Sequence, residues 1–240
     1  MKYKYLLFFL MLVGSVKSQS LTGTKGLLHV PTAELYPDKT FAVGASFLPL
    51  PYMSYSRGGE QYDAYATYVT ATFFPWMEVM FRYTHQIGNE VNPITKYFPD
   101  RMLTVRLQLL KEKKYTPAVL FGLQDMSGAF GTADSGGGAV NYSATYGVAT
   151  KNFEWQQWQL GVSAGYAFDF LDMPTIDYKG LFGGVSISHK SLKNVGVLLE
   201  HDSETFNAGV ELFLFNRLQL LLGAANFDAP VAGISYRYSL

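Results

Sequence analysis

The sequence predicts an all-β fold: a closed, up-and-down antiparallel barrel of about twelve strands that crosses a membrane. Three observations carry that prediction. From Thr40 onward, segments of roughly ten residues alternate apolar with small or polar side chains, which is the length and period of a tilted membrane strand. The links between segments are short and long in turn. Charged residues make up 16% of the chain and aromatic residues another 16%, whereas an ordinary domain carries roughly 25% charged residues, so this chain wets little of its surface. In hydrocarbon every backbone N–H and C=O must be paired within the protein, and a closed barrel achieves this without a long apolar run.

Residues 1–18 read as a secretory signal peptide. Lys2 and Lys4 precede an apolar core from Leu6 to Val13, and Val16-Lys17-Ser18 forms a small-x-small cleavage site before Gln19. That core is too short to span a bilayer as a helix. Residues 19–38 form an N-terminal segment, with Leu21, Leu27, Leu28 and Val30 ahead of Pro31. It is expected to be either a plug inside the lumen, with Leu27, Leu28, Val30 and Pro31 as its body, or a periplasmic arm or added strand; a lumen of about twelve strands leaves more room than one of eight.

Residues 39–240 make the barrel, with strands expected near 40–48, 64–73, 77–86, 101–110, 117–125, 141–151, 156–168, 180–189, 194–202, 205–214, 217–225 and 231–239. Links after the second, fourth, sixth, eighth and tenth strands are tight: Pro75-Trp76, Lys111 to Thr116, Asn152 to Trp155, Lys190 to Lys193 and Phe215-Asn216. Those at 49–63, 87–100, 126–140 and 169–179 are long and rich in Gly, Pro, Ser, Asp and Asn. Short turns on one rim and long loops on the other match bacterial outer-membrane barrels, with the short turns periplasmic.

Period two sorts each strand into faces. Val79, Phe81 and Tyr83 oppose Glu78, Arg82 and Thr84; Leu103, Val105, Leu107 and Leu109 oppose Thr104, Arg106 and Gln108; Phe206, Ala208, Val210, Leu212 and Leu214 oppose Asn207, Gly209 and Glu211. A secreted sandwich or lipocalin-like barrel also alternates, but it would turn its apolar face inward and carry many charges outside. Here the second face carries glycines, at 44, 122, 147, 161, 184, 196, 209 and 223. As a soluble core these would bury almost nothing; as a lumen wall they leave room for water or an inserted segment. Trp76, Trp155 and Trp158 near short turns, and Tyr142, Tyr236 and Tyr238 on outward positions, suit interfacial girdles.

Glu78, Arg82, Arg106, Glu200, Glu211 and Arg237 are then expected to face the lumen. Unpaired they would be costly, so they are expected to form salt-bridged networks across strands, which could also serve as a polar constriction. His201-Asp202-Ser203 with Glu204 has the residue types of a hydrolase site, but a triad needs geometry that a tight loop does not provide. His29, His85 and His189 lack metal-ligand spacing, and GTADSGGGA at 131–139 lacks a phosphate loop's lysine. Asp125 and Asp134 have no calcium-loop template around them. Charge balances at 19 against 19, without a basic stripe for nucleic acid. The absence of cysteine excludes disulfides, thiolate metal sites and a lipidated N-terminal cysteine.

Four strings, GLLHVPTAE at 26–34, FFPWMEVMFRYT at 73–84, DRMLTVRLQLLKE at 100–112 and TPAVLFGLQDMSG at 116–128, together resemble the YjbH family of outer-membrane proteins, which is associated with exopolysaccharide or capsule export. The resemblance is densest over 26–128 and implies a short, single-barrel member in the outer membrane, working beside secreted polysaccharide and export-machinery proteins. It carries over no catalytic residue, and no cofactor or metal is expected. The alternative expectations are a small general diffusion pore or structural barrel and, last, a lipid-modifying enzyme.

Overall fold

The computed structural model describes residues 18–53, 62–87, 99–125, 141–169, 177–192 and 194–240. The expected signal core and the Gly-rich string at 131–139, Asp134 included, lie outside these. Twelve antiparallel strands run in chain order: β1 (Thr40–Leu48), β2 (Ala64–Phe74), β3 (Met77–Gln86), β4 (Pro99–Leu110), β5 (Ala118–Gln124), β6 (Ala144–Trp155), β7 (Trp158–Phe168), β8 (Gly180–His189), β9 (Val195–His201), β10 (Phe206–Leu214), β11 (Leu218–Ala225) and β12 (Ala229–Ser239). Each pairs with its sequence neighbours, and β1 closes on β12 with Phe41 opposite Tyr238 and Phe47 opposite Ala232. Among the described residues no strand is left with an unpaired edge, as hydrocarbon requires.

The two faces separate as the alternation predicts. Phe81, Val69, Leu109, Val210, Leu222 and Ile234 are exposed on the outside, while Glu78, Arg82, Thr104, Arg106, Asn207 and Glu211 are buried inside. Trp155 and Trp158 sit across the two-residue turn Gln156-Gln157, Trp76 stacks on Phe74 with ring centroids 5.4 Å apart, and Trp158 meets His189 edge-on at 4.7 Å. These aromatics ring the short-turn rim, where an interfacial girdle belongs. Left-handed backbone at Gln156, Phe215 and Asn216 makes the hairpin connections tight. The opposite rim carries the long links, together with two short ones at 202–205 and 226–228.

β6 departs from expectation. It runs from Ala144 to Trp155, beyond the expected end at 151, and its even positions Tyr146, Val148 and Thr150 point inward. Gly147 therefore faces outward, where a Cβ would meet only the Phe168 ring at 3.9 Å. Tyr142 precedes the strand and is buried, with the Arg82 guanidinium 4.1 Å over its ring, so it belongs to no girdle. Both errors are one slip of phase, which flips every side chain of a strand. The misleading signal is physical: Tyr146 is an apolar residue turned inward because Gly122 on β5 leaves space for its ring.

Candidate functional site

The lumen is filled by the chain itself. Residues 18–36 enter it from the short-turn rim, reach His29 near the long-loop rim, and return to Thr40; Leu21, Leu28, Val30 and Ala33 have no exposed surface at all. The segment holds its shape through two tight turns. Ser20 N–H donates to Thr24 O at 2.9 Å, Leu27 N–H to Val30 O at 2.9 Å, and Leu21 N–H to Leu28 O at 2.8 Å. Gly23 has φ +97° and lies against Tyr68, so that a Cβ there would meet the ring at 2.7 Å; only glycine suits both the backbone and the space.

Leucines of this plug seat on glycines of the wall. A methyl on Gly184 of β8 would meet Leu27 Cδ1 at 2.7 Å, and one on Gly209 of β10 or Gly223 of β11 would meet Leu28 Cδ1 at 2.8 and 3.0 Å. Leu21 approaches Gly233 of β12 in the same way at 3.4 Å. Of the glycines expected to line the interior, Gly184, Gly209 and Gly223 are thus sockets for the plug, Gly44, Gly122, Gly161 and Gly196 lie under side chains of the wall, and Gly147, contrary to expectation, faces outward.

Polar wall residues take up the backbone groups that the plug cannot pair internally. Glu200 on β9 is the densest such contact. Its carboxylate accepts the consecutive N–H groups of Leu28 at 2.9 Å, His29 at 2.8 Å and Val30 at 3.2 Å, and the Asn207 amide at 3.1 Å. Three adjacent N–H groups converging on one anion form a backbone nest, here filled by the barrel's own carboxylate. Lower down, Ala33 N–H donates to Thr150 Oγ1 at 2.7 Å, Gln108 donates to Ala33 O at 2.8 Å, and Arg106 donates to Thr32 O. Gln219 grips the start of the segment, accepting from Gln19 N–H at 2.8 Å and donating to Ser18 Oγ at 3.1 Å.

At the plug's tip the His29 ring is held by two carboxylates from the long-loop rim. Its Nε2 is 3.4 Å from Asp177 and its Nδ1 is 3.7 Å from Asp202, with Tyr52 packed on one face at 4.3 Å between centroids. Burial alone disfavours the imidazolium, but Asp177 and Asp202 outweigh it and push the His29 pKa up to about 10. Asp202, although burial opposes its charge, is held well below the usual carboxylate range by His29, the Thr205 N–H and the Asn207 amide.

The six lumen charges do not form the cross-strand network expected of them. Glu78 and Arg106, opposite one another on β3 and β4, make the one ion pair among the six, at 2.6 Å with neither side chain exposed. Glu200 turns to the plug instead, Arg82 lies over Tyr142, and Glu211 covers Gly196. Arg237 sits at the short-turn mouth, its guanidinium 5.3 Å over the Tyr36 ring and donating to Asn216 O at 3.1 Å. For Glu200, and in part for Arg106 and Arg237, the reason is that the inserted segment brings its own donors, acceptors and ring faces. Leu27, Leu28, Val30 and Pro31, the candidate plug residues, are all inside the barrel.

His201, Asp202 and Ser203 do not assemble a nucleophile. Ser203 N–H donates to His201 Nδ1 at 3.3 Å, its hydroxyl accepts from Lys179 N–H at 3.2 Å, and Asp202 is engaged with His29, Thr205 and Asn207. Asp125 caps the following chain by accepting the N–H groups of Asn141 and Tyr142 at 3.0 and 3.1 Å. His29 was legible only as one of several scattered histidines, because its two acidic partners lie far along the chain on different loops.

A family model named YjbH, described as exopolysaccharide biosynthesis protein YbjH, matches residues 18–222, which takes in the plug and almost all of the barrel. The chain belongs to the YjbH family. The match begins at Ser18, so the plug falls within the family's shared region. Among curated proteins no sequence matches. Among solved structures, the outer membrane protease OmpT of Escherichia coli is similar at a TM-score of 0.29 and 11% identity, over 84% of this chain and 94% of that one.

Proposed function

We propose that this YjbH-family member is a non-enzymatic outer-membrane barrel serving exopolysaccharide export or cell-surface assembly, its lumen closed by its own N-terminal segment. The apolar outer face around all twelve strands supports a lipid environment, and the family supports the polysaccharide context. The asymmetry of the two rims supports an outer-membrane location with the short turns periplasmic, and the signal-like composition of residues 1–18 supports delivery there by a cleaved signal peptide. Lipids contact the belt; polysaccharide and export-machinery proteins are the further partners.

The observation that carries the closed lumen is the Glu200 carboxylate bound to three successive plug N–H groups. It weighs against the small general pore, which needs an open lumen, just as the engagement of Ser203 and Asp202 weighs against a lipid-modifying enzyme. Exopolysaccharide released by a deletion strain tests the role: secretion falls and returns with the wild-type gene, whereas undiminished secretion defeats the proposal. Planar-bilayer conductance tests the closure. Full-length protein is expected to stay near baseline and protein lacking residues 20–33 to conduct steadily; equal conductance refutes the plug.

A further inference from the structure

The short-turn mouth is not flush. Where the plug leaves the lumen for β1, a cleft of about 530 Å³ remains between the exit limb and the barrel wall. Its plug side is Lys25, Leu35, Tyr36 and Asp38; its wall side includes Gln108, Lys111, Arg217 and Arg237. A volume of this size holds a small ligand or a few sugar rings.

The charge inside the cleft is one-sided. Lys25 is neutralised by Glu34 at 2.9 Å, but Lys111 and Arg237 form no ion pair among the described residues, of which Asp38 is the one carboxylate lining the space. Arg237 is positioned rather than loose. Arg237 is braced over Tyr36 and by its bond to Asn216 O, whereas Arg217, at the cleft's edge, turns its guanidinium to the outward Tyr236 hydroxyl at 3.4 Å and the Tyr238 ring at 5.8 Å. A braced guanidinium presents a planar fork of donors suited to a carboxylate or phosphate, and the Gln108 amide adds hydrogen-bonding capacity suited to hydroxyls.

From this geometry we infer that the cleft is a binding site for an acidic oligosaccharide, its carboxylates held by Arg237 and Lys111. The inference deepens the proposed function and rests on it for the choice of a glycan. Arg237 is on the inner face of β12, between outward Tyr236 and Tyr238, and Gln108 is inward on β4, so the site opens along the barrel axis rather than toward lipid. That placement favours a sugar chain in the aqueous space over a phospholipid headgroup. Because Lys25, Leu35 and Tyr36 belong to the plug's own limb, a ligand here touches plug and wall together.

The test is titration of the full refolded protein in neutral detergent with oligogalacturonate, maltohexaose, inorganic phosphate and phosphatidylglycerol-doped micelles. Oligogalacturonate is expected to bind, more weakly as salt rises from about 0.05 to about 0.5 M, and maltohexaose not to bind. The paired substitutions Arg237→Gln and Lys111→Gln should weaken binding by about tenfold or more, while Lys190→Gln, at a turn outside the cleft, should leave it unchanged. Heat-modifiable migration on gels verifies that each variant has folded. Equal binding of maltohexaose, equal binding by the paired variant, or displacement by phosphate or phosphatidylglycerol at lower concentration than oligogalacturonate overturns the inference. Secretion by a strain carrying only the paired variant is scored separately: loss of binding in vitro speaks to the cleft, and secretion in the deletion strain speaks to the wider role.

Discussion

Glu200 takes the backbone N–H of His29 at 2.8 Å across 171 residues of sequence, tying the tip of the N-terminal segment to the ninth strand. The same carboxylate takes Leu28 and Val30, so one side chain satisfies three buried donors. Glu200→Gln keeps one acceptor oxygen and loses the charge. Hydrogen bonds to a charged group contribute roughly 1.5–3 kcal/mol each way, so the variant is expected to open the plug measurably. Single-channel recording should register brief openings in E200Q that are absent from the wild type; silent traces from a well-folded E200Q would show that the leucine sockets alone hold the segment.

Those sockets give a second prediction. Adding a side chain at Gly209 places its Cβ 2.8 Å from Leu28 Cδ1 and 3.1 Å from Leu222 O, and overpacking of this kind costs about 1–3 kcal/mol. Gly209→Ala should therefore lower the guanidinium midpoint for unfolding in detergent. Leu28→Ala in the same chain removes the obstructing atom and should recover part of the loss, a coupling that a double-mutant cycle reads directly. Strictly additive penalties would mean that the two residues do not share the space.

The same glycines mark how far the sequence could be read. Strand order, the apolar outside and a glycine-lined interior were legible because period two is local: neighbouring residues report opposite environments without reference to anything distant. Leu27, Leu28, Val30 and Pro31 stood out as an apolar group ahead of the first strand, yet whether they entered the lumen depended on Gly184, Gly209 and Gly223, far along the chain. The charges misled for a related reason. Glu78 and Arg106 pair across adjacent strands, as sequence alternation suggests, but Glu200 answers to plug N–H groups that carry no side-chain signature at all. In β6 the interior accepts the Tyr146 ring over Gly122, inverting the face that hydrophobicity alone would select.

The Glu78–Arg106 pair supports a third prediction. Both side chains are fully buried, and removing one partner of such a pair leaves an uncompensated charge at a cost of about 3–5 kcal/mol. Arg106 also donates to Thr32 O and to Glu34 O, the latter at 3.3 Å, so its loss also frees the plug's returning limb. Arg106→Met is expected to destabilise strongly, and Arg106→Met with Glu78→Leu considerably less, because the second change removes the stranded carboxylate. Guanidinium unfolding of the wild type, Arg106→Met and the double variant decides it. A double variant as damaged as the single would place the cost in the plug contacts rather than in the buried charge.

The plug's tip should respond to pH, with a sign fixed by its groups. His29 has its folded pKa raised from 6.5 to about 10, so its contribution to stability is fully present below 6.5 and is lost as pH rises through about 10. Asp202 is shifted the opposite way: its contribution is present above its ordinary value of 3.8 and is lost as pH falls toward its depressed folded value. Between 3.8 and 6.5 both contributions are complete, and the tip is held most firmly there. Limited proteolysis at the short-turn mouth, followed against pH, should show the segment most protected in that window and progressively cleavable above it. In His29→Ala the alkaline loss should vanish, since the ring whose proton leaves is gone, while Tyr52 and Tyr178 still close the space around the tip. An alkaline limb of unchanged steepness in that variant would assign the response to some other group and remove His29 from the latch.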